Sequence, residues 1–320
     1  MIRRLNSIAL VVLLACSAGI AMPATAGESP VQAAAPGTPT GDHVLVLGRI
    51  SDDPRAHYDQ LKPLLDYVLP RMADVGIRQG RVLMARDTQQ MASYLRRGRV
   101  DWVTETAGTA MLLHKRADAR PLLLTERGGR SHYASVFFAR RDSGISSLED
   151  MRGHSVAFQR PTSTSAYFVP AATLLEHGLH LEILLSPNDD VDDSAVGYLF
   201  ARSELNIATW VHKGLADVGV MSDLDWDNPR RIPAAFREDM VVFERTQDFP
   251  RAVEMVRAGL DARVAARLSE VLLAAADDPE ASVALQQFFQ TTRFLPVDEK
   301  SARSLEHIAV GVDRVRREVE

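Results

Sequence analysis

Cysteine is all but missing from this 320-residue sequence: its single copy, Cys16, sits inside the first apolar run, so everything downstream folds without a disulfide. Basic excess is missing too. The formal net charge is −5, and loss of a leader carrying Arg3 and Arg4 makes the chain more acidic still, which excludes nucleic acid as the partner. The pairs Arg96-Arg97, Arg140-Arg141 and Arg230-Arg231 read as solvated surface. After residue 26 no apolar run approaches the roughly 20 residues that a bilayer span requires.

The motifs of catalysis are lacking as well. A hydrolase built on Ser163 or Ser165 needs His154, His177 or His212 as base, but no Gly-x-Ser-x-Gly elbow accompanies either serine. The histidines at 114, 132, 154, 177, 180 and 212 are scattered, without a His-x-x-x-His or His-Glu-x-x-His pair, so no metal is expected. Asp189-Asp190-Val191-Asp192-Asp193 lacks the glycine and glutamate spacing of a calcium loop and reads as a solvated acidic loop. No Walker loop appears. The expectation is a protein that is not an enzyme and carries no cofactor.

What is present begins with an export signal over residues 1–26: Arg3-Arg4, an apolar run from Ile8 through Met22, and Ala24-Thr25-Ala26 as a small-x-small cleavage site before Gly27. Cys16 follows Leu13-Leu14-Ala15, an alternative lipoprotein site. Residues 27–42, rich in Pro, Gly, Ala, Ser and Thr, bury too little to order themselves and read as a flexible lead-in. Beyond them the length and the 46% hydrophobic content call for two lobes rather than one core.

From His43 onward strands and helices alternate. Val44–Leu47 has the apolar run of a buried strand, Tyr58 to Met72 a helical pattern, Arg81 to Met84 a strand, Gln89 to Arg97 a helix and Val100–Val103 the next strand. Such alternation predicts a mainly parallel sheet flanked by helices, with ligands at the loops after the strands' carboxyl ends. Thr104-Glu105-Thr106 is one such loop.

A second is Pro161-Thr162-Ser163-Thr164-Ser165-Ala166-Tyr167-Phe168-Val169-Pro170, between the strand-like Ser155–Phe158 and a helix ending at Gly178. The first N–H groups of a helix lack intrahelical partners and lie at its positive end, so this turn is suited to an oxyanion. Ser163, Thr164 and Ser165 add three hydroxyls. One of them capping the helix is the plainer role. Pro170, inside the helix, predicts a kink or an irregular start.

The Pro-x-Ser-Thr-Ser-Ala-aromatic stretch resembles the signature of the PhnD-like periplasmic phosphonate-, phosphite- and phosphate-binding proteins of ABC importers. Leu64-Leu65-Asp66-Tyr67, Gly98-Arg99-Val100-Asp101, Tyr133-Ala134-Ser135-Val136, Asp142 through Asp150, Asp277-Asp278-Pro279-Glu280 and Arg293-Phe294-Leu295-Pro296 are similar to family pieces and occur in the same order. The resemblance implies an α/β, two-lobed periplasmic binding protein of type 2, with two mainly parallel sheets flanked by helices and joined by two crossing strands. Residues 43–137 and 244–320 form one lobe and 138–243 the other, with Tyr133–Ala139 and Met240–Phe243 crossing.

It also implies a job and a site. The chain is expected to be a monomeric periplasmic receptor that hands a small oxyanion-bearing ligand to an ABC permease, or that reports it to a membrane histidine kinase. Ligand contacts fall on Ser163, Thr164 and Ser165 on one side and on Thr104, Glu105, Thr106 and Tyr133 on the other. Glu105 replaces the family's aromatic or small residue, and Glu204 falls where many members carry a ligand-binding histidine. Asp223 or Asp225 stands where an acid often meets an amino group. Acids facing a small dianion repel it, which points to a ligand such as an aminoalkylphosphonate; Glu105 paired with Arg49 or Arg251 leaves the pocket neutral instead.

Overall fold

The computed structural model describes residues 43–320, so the export signal, the lead-in and Cys16 lie outside the described residues. The apolar run expected to start the fold lies in strand His43–Ile50 (β1). Its side chains alternate between two cores: Leu45 and Leu47 pack with Leu61, Leu64 and Leu65, whereas Val46 packs with Met91, Val103 and Leu113. A strand apolar on both faces is one covered by helices on both.

Those helices follow at once. Pro54–Val68 (α1) starts where Asp53 accepts a hydrogen bond from the Ala56 N–H at 3.1 Å, with Pro54 in the first turn, where its missing N–H costs nothing. After Ile77–Ala85 (β2) comes Thr88–Arg96 (α2), capped by Asp87, then Trp102–Glu105 (β3), Ala107–Ala117 (α3) and Arg120–Arg127 (β4). The strand expected at Val100–Val103 is displaced to take in Thr104 and Glu105. The cause is a partner distant in sequence, because Val253–Val256 pairs with all four residues.

The chain then passes through His132–Tyr133 (β5) into Ser135–Arg140 (β6) and Ser155–Phe158 (β7). A five-residue π-helical turn, Thr164–Phe168, precedes Val169–Glu176 (α4), so Pro170 falls in that helix's first turn. The irregular start expected from Pro170 is this turn. His180–Ile183 (β8), Ala195–Phe200 (β9), Glu204–His212 (α5), Val218–Ser222 (β10), Asp223–Trp226 (α6), Ala234–Asp239 (α7) and Met240–Arg245 (β11) complete the middle of the chain. In the acidic loop Asp189 accepts from the N–H groups of Leu185 and Ser186, and Asp192 from Ser194. Phe249–Pro250 (β12), Val253–Val256 (β13), Ala262–Ala274 (α8), Ser282–Gln287 (α9), Thr291–Leu295 (β14) and Glu299–Glu318 (α10) follow.

Two six-stranded sheets result, ordered β14-β4-β13-β3-β1-β2 and β11-β6-β10-β7-β9-β8. In the first, β13 and β14 run against the other strands; in the second, only β6 does. Both are therefore mainly parallel and flanked by helices. The chain crosses between them twice, at residues 128–134 and 246–252, and the crossings pair as a ribbon in which Phe249 opposes Tyr133. Met240–Phe243, expected to be the return crossing, belongs to β11 and pairs with β6, and the expected boundaries at 137/138 and 243/244 fall inside these two strands. Helix α10 packs on both α3 and α4, so one apolar core runs from sheet to sheet. It approaches α4 through Gly311, where an added Cβ would lie 2.9 Å from that of Ala172.

Candidate functional site

The strand ends converge on one polar cavity of about 390 Å³. Arg49 and Ile50 end β1, Glu105 ends β3 and Arg127 ends β4; Gln159 and Arg160 follow β7. All six line the cavity, where an open α/β sheet holds its ligands. Thr106, Tyr133, Ser163, Thr164, Ser165 and Glu204 line it too, together with Asp225 and Arg251.

The hydroxyl turn has three members with three duties. Ser163 caps it, its Oγ accepting from the Ala166 N–H at 3.2 Å, which is the plainer role foreseen for one hydroxyl. Thr164 joins the two sheets: its Oγ1 accepts from the Gly108 N–H and donates to Thr106 Oγ1, both at 2.9 Å. Glycine is required at 108, since a Cβ there would lie 2.9 Å from Thr164 Oγ1 and 3.0 Å from the Phe168 ring. Ser165 is buried, and it and Tyr133 both line the cavity. Burial pushes the Tyr133 phenol up to about 12, so it stays a neutral donor. The ring of Tyr133 lies 4.7 Å from that of Phe249, on the paired crossings.

Glu105 does not stand free in the cavity. It is buried, and its Oε1 accepts from the Ile50 N–H at 2.8 Å, which fixes the end of β1. Burial raises its proton affinity, against the pull of Arg49 and the backbone bond. Thr104 lies behind the wall instead of on it: its hydroxyl donates to Glu254 at 2.7 Å and accepts from Arg127 at 3.3 Å. Arg49, Arg127 and Arg251 have no ion-pair partner within 4.0 Å among the described residues; Arg160 pairs with Asp52 at 2.7 Å.

On the opposite wall Glu204 accepts from Gln159 Nε2 and from Arg231 at 3.1 Å. Burial, then Asp225, raise its proton affinity. Asp225 lines the cavity while Asp223 is taken up outside it. Asp223 accepts from the Ala134 N–H at 3.2 Å and from Arg245 at 3.1 Å, bracing the two crossings, whereas Asp225 is held by the Ser222 hydroxyl at 2.6 Å. The arginines 49, 127, 160 and 251 were not among the predicted site residues. Their signal was position, since Arg49 and Arg127 end strands of the first sheet.

The histidines considered as hydrolase bases lie elsewhere: His154 beside Asp217 at 3.5 Å, His177 beside Glu149 at 3.2 Å, and His212 stacked on Phe236 at 4.2 Å. A larger cavity, about 670 Å³, lies between α4, α10 and residues 244–249. Its lining includes the apolar Ala172, Ile308 and Val312, and it takes in neither the Ser163–Ser165 turn nor Arg49, Glu105 or Arg127. The smaller one is the candidate because donors converge on it.

The model of the family described as the periplasmic substrate-binding protein of the phosphonate ABC transporter matches residues 49–302. XAC2383 of Xanthomonas citri, solved bound to chloride, is 55% identical to this chain, covering 86% of it and 99% of that chain, with a TM-score of 0.82. Its structure bound to ATP gives 54% identity, coverage of 87% and 99%, and the same TM-score. The phosphate-import protein PhnD of Mycolicibacterium smegmatis is 27% identical over 129 residues, 37% of this chain; the chain spans only 39% of that relative. PhnD1 of Prochlorococcus marinus, solved with methylphosphonate, shares the fold at 16% identity, with a TM-score of 0.57 over 86% of this chain and 100% of that one.

Proposed function

The chain belongs to the periplasmic substrate-binding proteins of phosphonate ABC transporters, and on that premise we propose that it is a receptor for an organic anion carrying a phosphoryl or similar oxyanion group. The observation that carries this reading is the cavity's balance of donors. The Ser163–Ser165 turn and the N-terminus of α3 meet Arg49, Arg127 and Arg251, none of which has a carboxylate partner within 4.0 Å among the described residues. Guanidinium donors that line a cavity with no carboxylate beside them favour an anion. The relative from Xanthomonas citri supports it, since both of its ligands, chloride and ATP, are anions.

The ligand rests between two lobes that close about the paired crossings, residues 128–134 and 246–252. Closure presents a different surface to the permease, which lets the importer tell a loaded receptor from an empty one. Glu105 accepts from the Ile50 N–H and Glu204 from Gln159 and Arg231, so neither acid requires an amino group on the ligand to complete its hydrogen bonds. Tyr133, Thr106 and Ser165 remain the neutral donors around the anion, and the receptor acts as a monomer.

Thermal denaturation tests the reading. At 100 times Kd a ligand adds about 2.7 kcal/mol of stability, so methylphosphonate, phosphate or ATP should raise the Tm of the wild type by several degrees. The Ser163→Ala, Ser165→Ala double variant should lose that shift. A wild type indifferent to every anion, or a double variant that responds as fully, contradicts the proposal.

A further inference from the structure

Two guanidinium groups gather on one ring in the first-sheet wall of the cavity. Arg49 Cζ lies 4.4 Å and Arg127 Cζ 4.5 Å from the centroid of Phe289. Phe289 and the next residue, Gln290, have φ of 54° and 57°, in the left-handed region that bulky residues rarely enter. Such strain persists where its surroundings hold it, and it clusters at ligand clamps.

The hydrogen bonds of the pair are incomplete. Arg49 donates to the Thr104 carbonyl at 3.0 Å and Arg127 to the Thr104 hydroxyl at 3.3 Å. The Nε of each is buried without an acceptor, and Arg127 is only 8% exposed. Burial, then the neighbouring Arg49, weaken the hold of Arg127 on its proton. Two guanidinium groups that each keep a buried Nε without an acceptor, side by side on one ring, are a cost that an anion relieves, even with Glu254 and Glu105 nearby.

This wall is separate from the Ser163 turn. Arg49 and Arg127 end β1 and β4 of the first sheet, whereas the turn follows β7 of the second, and one cavity of about 390 Å³ takes in both. That volume lies in the range of roughly 300–1,000 Å³ that buries drug-sized ligands, so a lone phosphate or phosphonate group occupies one wall only. We propose that Arg49 and Arg127, held against Phe289, form a second anion seat, and that the ligand therefore carries two linked anionic groups, as an organic diphosphate or triphosphate does. This inference rests on the receptor reading above.

Calorimetry on the full chain with methylphosphonate, inorganic pyrophosphate and ADP tests it. The wild type should bind pyrophosphate and ADP more tightly than methylphosphonate. Arg127→Gln should weaken pyrophosphate by about 10- to 100-fold, the loss of one charge-assisted hydrogen bond, and methylphosphonate by a much smaller factor. Arg49→Gln, at a partly exposed site, should act in the same direction and serves if the buried substitution unfolds the protein. Folded variants that keep the wild-type preference for pyrophosphate overturn the second seat, as does a wild type that binds methylphosphonate but not pyrophosphate. A wild type that binds none of the three overturns the receptor reading itself.

Discussion

Glu254 is the residue behind the first-sheet wall. It is fully buried, and its carboxylate accepts from Trp102 Nε1 at 2.6 Å, Thr104 Oγ1 at 2.7 Å and Thr125 Oγ1 at 2.6 Å, while Thr104 in turn receives Arg127. Burial raises its pKa against the pull of these donors. A raised folded pKa means that the stability tied to the bound proton is complete below the ordinary value of 4.5 and is lost as pH rises through the folded value. Between pH 4.5 and 7.5 Glu254 therefore adds a downward slope to thermal stability, and Glu254→Gln should shift the measured slope upward; an unchanged slope contradicts the assignment. Glu105→Gln removes a negative charge beside Arg49. A unit-charge pair about 10 Å apart at an effective dielectric of 20 is worth about 1.7 kcal/mol, so anion affinity should rise roughly tenfold, and calorimetry showing weaker binding would refute this.

Among elements, the π-helical turn and the opening of α3 act as a pair. They meet through Thr164, Gly108 and Thr106, and Thr109 reaches the Thr162 carbonyl at 3.3 Å. Gly108→Ala drives a methyl group against Thr164 and Phe168, an overpacking that costs about 1–3 kcal/mol. The expected result is a lower Tm together with weaker anion binding; a variant with wild-type affinity would show that the two loops need not touch. The hydroxyl turn was legible in the sequence because its parts, a strand end, three hydroxyls and a helix start, follow one another between Phe158 and Val169. Arg49 and Arg127 were not. Their wall exists only because β13 inserts between β3 and β4, and because Phe289 arrives on a turn far along the chain. The choice between Asp223 and Asp225 was equally hidden, since Arg245 and the Ala134 N–H claim the first while Ser222 holds the second.

At the scale of the molecule, the alternation of strands and helices and the family-like pieces gave away two helix-flanked sheets and a double crossing. The crossing positions were less visible, because β6 and β11 look the same whether they span two sheets or pair within one. Position in the chain thus predicted architecture, whereas the charge of the cavity followed from tertiary pairing. The account turns on where an anion sits, and a crystal structure of the protein grown with ADP tests that most directly. The prediction is phosphoryl density in the cavity of about 390 Å³, one group on the turn of Ser163–Ser165 and the other against Arg49 and Arg127. Density in the larger cavity between α4 and α10, or an empty strand-end cavity at saturating ADP, would contradict it.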